Sequence, residues 1–253
     1  MANFLTSSIG KKFIQSVSGA FLIIFLLLHG TINFFSVLDS FHGVFGKVAD
    51  DAVRFSGGDG WFQLGCDFMS TPVIDIMVPI LALGFAIHIL YGIWLSVENY
   101  VKRGGVKRYA VASKAKSDSW SAKNMFVLGI IILGFLAFHL THFWAKMQLQ
   151  EFLGAEAENP YFLLIKTFGN PWILGGYIVW FFFIWLHLNH GFWSMFQTIG
   201  WSNKKWLGRL KVIGIIVSTL IILLFVCTAV NAYIEANCVT ASAQYTEAIR
   251  AML

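Results

Sequence analysis

Seven histidines carry most of the chemistry open to this 253-residue chain. Six of them, His29, His88, His139, His142, His187 and His190, fall inside long apolar runs, and only His42 stands in a polar stretch. A polar or ionisable side chain at membrane depth is costly, so its default reading is functional. An imidazole buried there can hydrogen-bond between helices, relay a proton or ligate a metal. Which of these applies depends on which rings can reach one another, and hence on the elements that carry them.

Those elements follow from composition. The chain is 57% hydrophobic and 12% charged, with mean hydropathy +0.70. A soluble domain needs about a quarter of its residues charged, so an integral membrane protein is expected. Five apolar stretches are long enough to cross a bilayer, which takes a helix roughly 20 residues: Phe13 to Leu38, Val73 to Val97, Asn124 to Ala145, Trp172 to Ile199 and Lys211 to Ile234. They are apolar all round rather than alternating, which excludes a spanning barrel and predicts an all-α fold of five transmembrane helices in one transmembrane domain. Lys11 and Lys12 before an apolar run imitate a signal peptide. Gln15, Ser16 and Ser18 break that run, however, and no small-residue cleavage site follows, so a retained helix is expected. Cys66, Cys227 and Cys238 have no metal-ligand or disulfide spacing, which argues against iron–sulfur or zinc–thiolate chemistry within the chain.

Five crossings sort the charges by face. Thirteen of the 18 Lys and Arg fall on the N-terminal face, among them Lys11, Lys12, seven between Lys102 and Lys123, and four between Lys204 and Lys211. Eleven of the 13 acids fall on the other face. The positive-inside rule then places the N-terminus in the cytoplasm and the C-terminus outside. The net charge of +5 is thus a cationic inner surface, suited to anionic lipid headgroups and to a soluble protein partner rather than to nucleic acid.

Depth along each helix groups the histidines. His29 and His139 lie 16 and 15 residues into helices that start inside, roughly 22 to 24 Å toward the outside at 1.5 Å per residue. His88 and His187 lie 15 residues into helices that start outside, and so a similar distance toward the inside. Two pairs at two levels, separated by roughly 15 Å across a core of about 30 Å, are what bis-histidine ligation of two haem irons requires. The competing readings are plain interhelical hydrogen bonds and a His-box di-iron site. The second needs about eight His gathered at one face, whereas the pairs His139/His142 and His187/His190 sit at different depths.

The residues around these positions resemble a known family, the di-haem cytochrome b anchors of succinate:quinone oxidoreductases (succinate dehydrogenases and quinol:fumarate reductases) of the single-chain, five-helix type. The resemblance rests on Gln15-Ser16 and Ser18-Gly19 ahead of His29-Gly30-Thr31-Ile32-Asn33, and on His88-Ile89-Leu90-Tyr91-Gly92-Ile93-Trp94. Phe138-His139 and His187-Leu188-Asn189-His190-Gly191-Phe192-Trp193-Ser194 complete it. With the spacing between spans it covers nearly the whole chain. It implies a haem-binding bundle of the first four helices, with His29 and His139 on the outer (distal) haem b iron and His88 and His187 on the inner (proximal) one. His142 stays open as an alternative to His139. Where this chain has His190 the family often has Asn, which implies a hydrogen-bonding role. Gln15, Ser16 and Ser18 are implied as donors to haem propionates. A lysine found in one branch near the inner end of span four is Thr198 here.

A quinol releases two protons with its two electrons, so a proton acceptor is needed near a haem. Some family members have a Glu near the outer start of span two; this chain offers Asp67 and Asp75 instead. The resemblance further implies a menaquinone-type quinone and two partners on the cytoplasmic face of a bacterial inner membrane, an iron–sulfur subunit and an FAD-containing flavoprotein. The absence of a Gly-rich dinucleotide fingerprint and of a Cys cluster agrees with those cofactors residing in partners. Two rivals remain: a cytochrome b anchor of the hydrogenase or formate dehydrogenase type, and a transporter with a histidine proton relay. A transporter needs broken helices lining a cavity, and here Pro72, Pro79 and Pro171 lie only near span starts.

Overall fold

The computed structural model describes residues 4–40, 60–102, 120–201, 203 and 205–239. The stretch around His42, the basic segment 103–119, Lys204 and residues 240–253 lie outside the described residues. Among the described residues every regular element is helical, and five helices are long and apolar enough to cross a membrane. The chain is an all-α, multi-pass membrane protein.

Seven helices carry the description: α1 Ser8–Ser40, α2 Trp61–Met69, α3 Pro72–Lys102, α4 Met125–His142, α5 Pro160–Phe168, α6 Pro171–Thr198 and α7 Trp206–Ile234. The spanning helices α1, α3, α4, α6 and α7 coincide with the five expected stretches. α1, α3 and α7 run several residues past the apolar runs, because a helix does not stop where hydrophobicity does. It stops where its terminal amides and carbonyls find other partners. Proline occupies the first position of α3, α5 and α6, where its missing N–H is no loss. Asn159, Asn170 and Asn203 each accept a hydrogen bond from the second residue beyond them, at 3.0, 2.9 and 3.0 Å, and so cap α5, α6 and α7. Gly200, at φ +82°, ends α6. Its N–H donates to Gln197 O at 3.3 Å and the Trp201 N–H to Phe196 O at 3.0 Å, a pair of bonds that closes the helix and requires a left-handed residue.

The chain divides into two compact units. The first comprises Met1–Leu27, Pro72–Ile132 and Phe183–Leu220. Within it α1 lies close against α3 at Gly84, where a Cβ would meet Phe21 Cε1 at 2.7 Å, and Phe25 meets Phe85 edge-on at 5.9 Å. α7 joins α6 through Trp185 Nε1, which donates to Thr219 Oγ1 at 3.0 Å. Lys11 is buried; it pairs with Glu98 and lies 4.8 Å over the Trp94 ring, while Lys102 takes the other Glu98 oxygen at 2.5 Å. Apolar side chains such as Val73, Ile76, Leu83 and Leu90 stand exposed along α3, as a lipid-facing helix requires.

The second unit comprises Leu28–Thr71, Leu133–Phe182 and Ile221–Leu253. Its core includes Leu163, Ile221 and Ala229, with Gly30 of α1 fitted against Leu224 and Phe225 of α7. α2 starts against α1: the buried Asp39 carboxylate accepts from the Trp61 and Phe62 N–H groups at 2.9 and 2.8 Å, placing a negative charge on the positive end of the helix. At the end of α7, Glu235 accepts from Ser40 Oγ and, at 2.6 Å, from the Tyr161 hydroxyl, and Asn231 Nδ2 donates to Ser40 Oγ at 2.8 Å. These bonds tie α1, α5 and α7 together.

Candidate functional site

In the second unit, α1 and α4 bring His29 and His139 to face each other, with ring centroids 6.1 Å apart and planes at 84°. Phe225 of α7 flanks His29 at 5.8 Å; Phe143 and Trp180 flank His139 at 5.2 and 5.5 Å. Tyr177 of α6 sets its hydroxyl 3.4 Å from His139 Nδ1 and 3.1 Å from His142 Nδ1. His142, one turn beyond His139, turns toward Tyr177 and Phe138, with ring centroids at 6.0 and 4.1 Å.

In the first unit, α3 and α6 bring His88 and His187 together, with centroids 6.2 Å apart and planes at 66°. Three α1 residues line His88. Ser18 Oγ lies 3.2 Å from its Nδ1, and Gln15 Nε2 lies 3.4 and 3.3 Å from Nδ1 and Nε2. Gly19 leaves room for the ring, since a Cβ there would come within 3.3 Å of His88 Cε1. Ser18 also bonds the Gln15 carbonyl at 3.1 Å. A hydroxyl has one proton to give; spent on that carbonyl, it leaves Ser18 Oγ to accept from His88 Nδ1–H, and the His88 Nε2 lone pair then faces the Gln15 amide at 3.3 Å.

These pairs can be tested against a haem iron directly. With a metal–imidazole bond of about 2.0 Å and a ring nitrogen about 1.1 Å from its own centroid, two imidazoles on opposite sides of one metal have centroids roughly 6 Å apart. Both pairs meet that separation. In each, one ring has a hydroxyl at Nδ1, Ser18 for His88 and Tyr177 for His139, as ligating histidines commonly do through their second nitrogen. The buried Nδ1 of His187 and Oε1 of Gln15 have no hydrogen-bond partner, so the polar groups of the first site are not all served by protein. Among the described residues no three His, Cys, Asp or Glu gather as a metal-holding group.

The remaining candidates are placed as follows. Ser16 is buried and bonds back to the Lys12 carbonyl at 2.9 Å, on a different side of α1 from Gln15 and Ser18. His190 packs edge-on against Trp193 at 4.9 Å, its buried Nδ1 without a partner, and Lys211 Nζ lies 4.7 Å over the same indole. Asp67 is exposed and accepts from Gln63 Nε2 at 2.7 Å. Asp75 is exposed in the first turn of α3 and belongs to the first unit, not to the one holding the His29–His139 pair. Sequence reasoning missed Tyr177, Trp180 and the Asp39 and Glu235 carboxylates. Nothing in the types or spacing of these residues marked them. No protein-family model, no curated protein and no solved structure matches this chain.

Proposed function

We propose that this chain is the cytochrome b membrane anchor of a succinate:quinone oxidoreductase, holding one haem b between His29 and His139 and a second between His88 and His187. The observation that supports this most is the recurrence of one geometry, since two independent pairs drawn from four helices stand 6.1 and 6.2 Å apart. Bound there, the haems supply reversible one-electron chemistry at potentials set by their surroundings. The protein's share is to hold the rings. The Ser18 and Tyr177 hydroxyls stand at Nδ1 of His88 and His139, and Trp180, Phe143 and Phe225 pack against the second pair.

In this reading the chain moves electrons between a menaquinone-type quinone and partners that carry the dicarboxylate chemistry, an iron–sulfur subunit and an FAD flavoprotein. These partners dock on the basic N-terminal face, which is the cytoplasmic side of a bacterial inner membrane and also meets anionic lipid. Asp75 and Asp67 are the carboxylates offered to a quinol proton.

The test is a dithionite-reduced minus oxidised spectrum of the purified chain with haem counted per polypeptide. Two b-type haems are expected, and co-purifying flavin and iron–sulfur subunits identify the partner. A chain without haem would return the histidines to hydrogen bonding or proton relay. Two haems with a hydrogenase or formate dehydrogenase partner would keep the ligands and change the complex.

A further inference from the structure

Tyr177 is 2% exposed, and its ring is caged by Phe168 at 5.0 Å, Trp180 at 5.6 Å and the near-parallel His142 ring at 6.0 Å. Its hydroxyl stands within reach of two imidazole nitrogens, His142 Nδ1 and His139 Nδ1. A phenol has one proton to donate, so it can donate to only one of them and can bond the other only by accepting. The two possible directions have opposite consequences. If Tyr177 donates to His142, it accepts from His139 Nδ1–H, and a neutral His139 then presents a bare Nε2. If it donates to His139, the proton of that neutral ring sits on Nε2 and closes it to a metal.

His139 is the ring that stands 6.1 Å from His29. We infer that Tyr177 is a positioning residue: it selects His139 over His142 as the iron ligand, fixes it in the tautomer with Nε2 free, and lowers the reduction potential of the haem so held. This rests on the haem-ligation reading. The lowering follows because a hydrogen bond accepted from Nδ1–H makes the imidazole a stronger electron donor, which favours ferric over ferrous iron. His142 strengthens the effect from a distance. By taking the phenol proton it leaves the Tyr177 oxygen a better acceptor, as chained hydrogen bonds polarise one another.

Tyr177→Phe removes only the oxygen and keeps the ring that its neighbours enclose. In a potentiometric optical titration of the purified complex, it should favour the ferrous form of one haem by roughly threefold to tenfold, a rise of about 30 to 60 mV at 59 mV per tenfold for one electron. The other haem, held by His88 and His187, should not move and serves as the internal control. His142→Leu should keep both haems and raise the same potential by a smaller amount, and it carries the test if Tyr177→Phe fails to assemble. Unchanged potentials in Tyr177→Phe, or loss of a haem in His142→Leu, would overturn the inference while leaving two haems in the unaltered chain. An unaltered chain with fewer than two haems would overturn the ligation reading, and this inference with it.

Discussion

His187→Ala removes a ring whose Nδ1 is buried without a hydrogen-bond partner. His187 is half-buried, so truncating it costs less than the about 2 to 5 kcal/mol of a fully buried large side chain. Here the loss is offset by relief of an unsatisfied polar atom, itself worth about 1 to 3 kcal/mol. The two terms oppose each other, and retention of the other haem shows that a spectral change reports ligation rather than collapse. The expected result is one haem per polypeptide in place of two. His88→Ala should remove the same haem, because its ring is the one 6.2 Å from His187. His29→Ala and His139→Ala should each remove the other. The assignment therefore predicts a pattern of double variants: His88→Ala with His187→Ala still retains one haem, whereas His88→Ala with His29→Ala retains none. Pyridine haemochrome quantification on detergent-purified protein reads both. If His29→Ala and His139→Ala removed different haems, or a double variant within one pair lost both, the pairing would be refuted.

Three further outcomes follow from particular contacts. Ser18→Ala should weaken retention of the haem proposed for His88 and His187 by roughly 10- to 100-fold, the usual effect of losing the partner of a ligand's second nitrogen, measured as haem transfer to apomyoglobin. Ser16→Ala, whose hydroxyl bonds its own helix, should leave that rate unchanged. Asp39→Ala leaves the Trp61 and Phe62 amides without their acceptor and should destabilise the unit by about 1 to 3 kcal/mol; a denaturation midpoint equal to that of the parent would count against the cap. Burial, with Asp67 adding to it, pushes the Cys66 thiol up from 9.0 to about 12. The thiolate is the nucleophile, so in a variant lacking Cys227 and Cys238 alkylation at pH 8 should run roughly a thousandfold slower than for an ordinary thiol and accelerate tenfold per pH unit toward pH 12; alkylation at the rate of a free thiol would contradict the burial.

The helices and the pairing of the rings were legible because both depend on one-dimensional quantities. Apolar length determines a span, and residue count along a span determines depth. Thus His29 could be matched with His139, and His88 with His187, before any side chain was placed. What depends on angle around a helix was less legible. Gln15 and Ser16 read as one polar pair, yet consecutive residues point about 100° apart at 3.6 per turn, and it is Ser18, three residues on, that shares the Gln15 face toward His88. What depends on a partner far along the chain was not legible at all. The helix that Asp39 caps begins 22 residues later, and Glu235 meets Tyr161 across 74 positions. Tyr177 was hidden for a different reason. Tyrosine in a span is ordinary interfacial material, and only the position of its oxygen between two imidazoles sets it apart.

The order of the four rings along the chain has a consequence for biosynthesis. The pairs interleave, 29 with 139 and 88 with 187, so neither is local and neither is nested in the other. Domains are made from the N-terminus at about 5 to 20 residues per second. The His29–His139 pair becomes available once α4 has been released from the ribosome, and His88 must then wait a further 48 residues, a few seconds, for His187. In the folded chain α1, made before His88, brings the Gln15 amide and the Ser18 hydroxyl to its ring nitrogens. The newborn chain thus holds one histidine pair complete before the partner of His88 has been made.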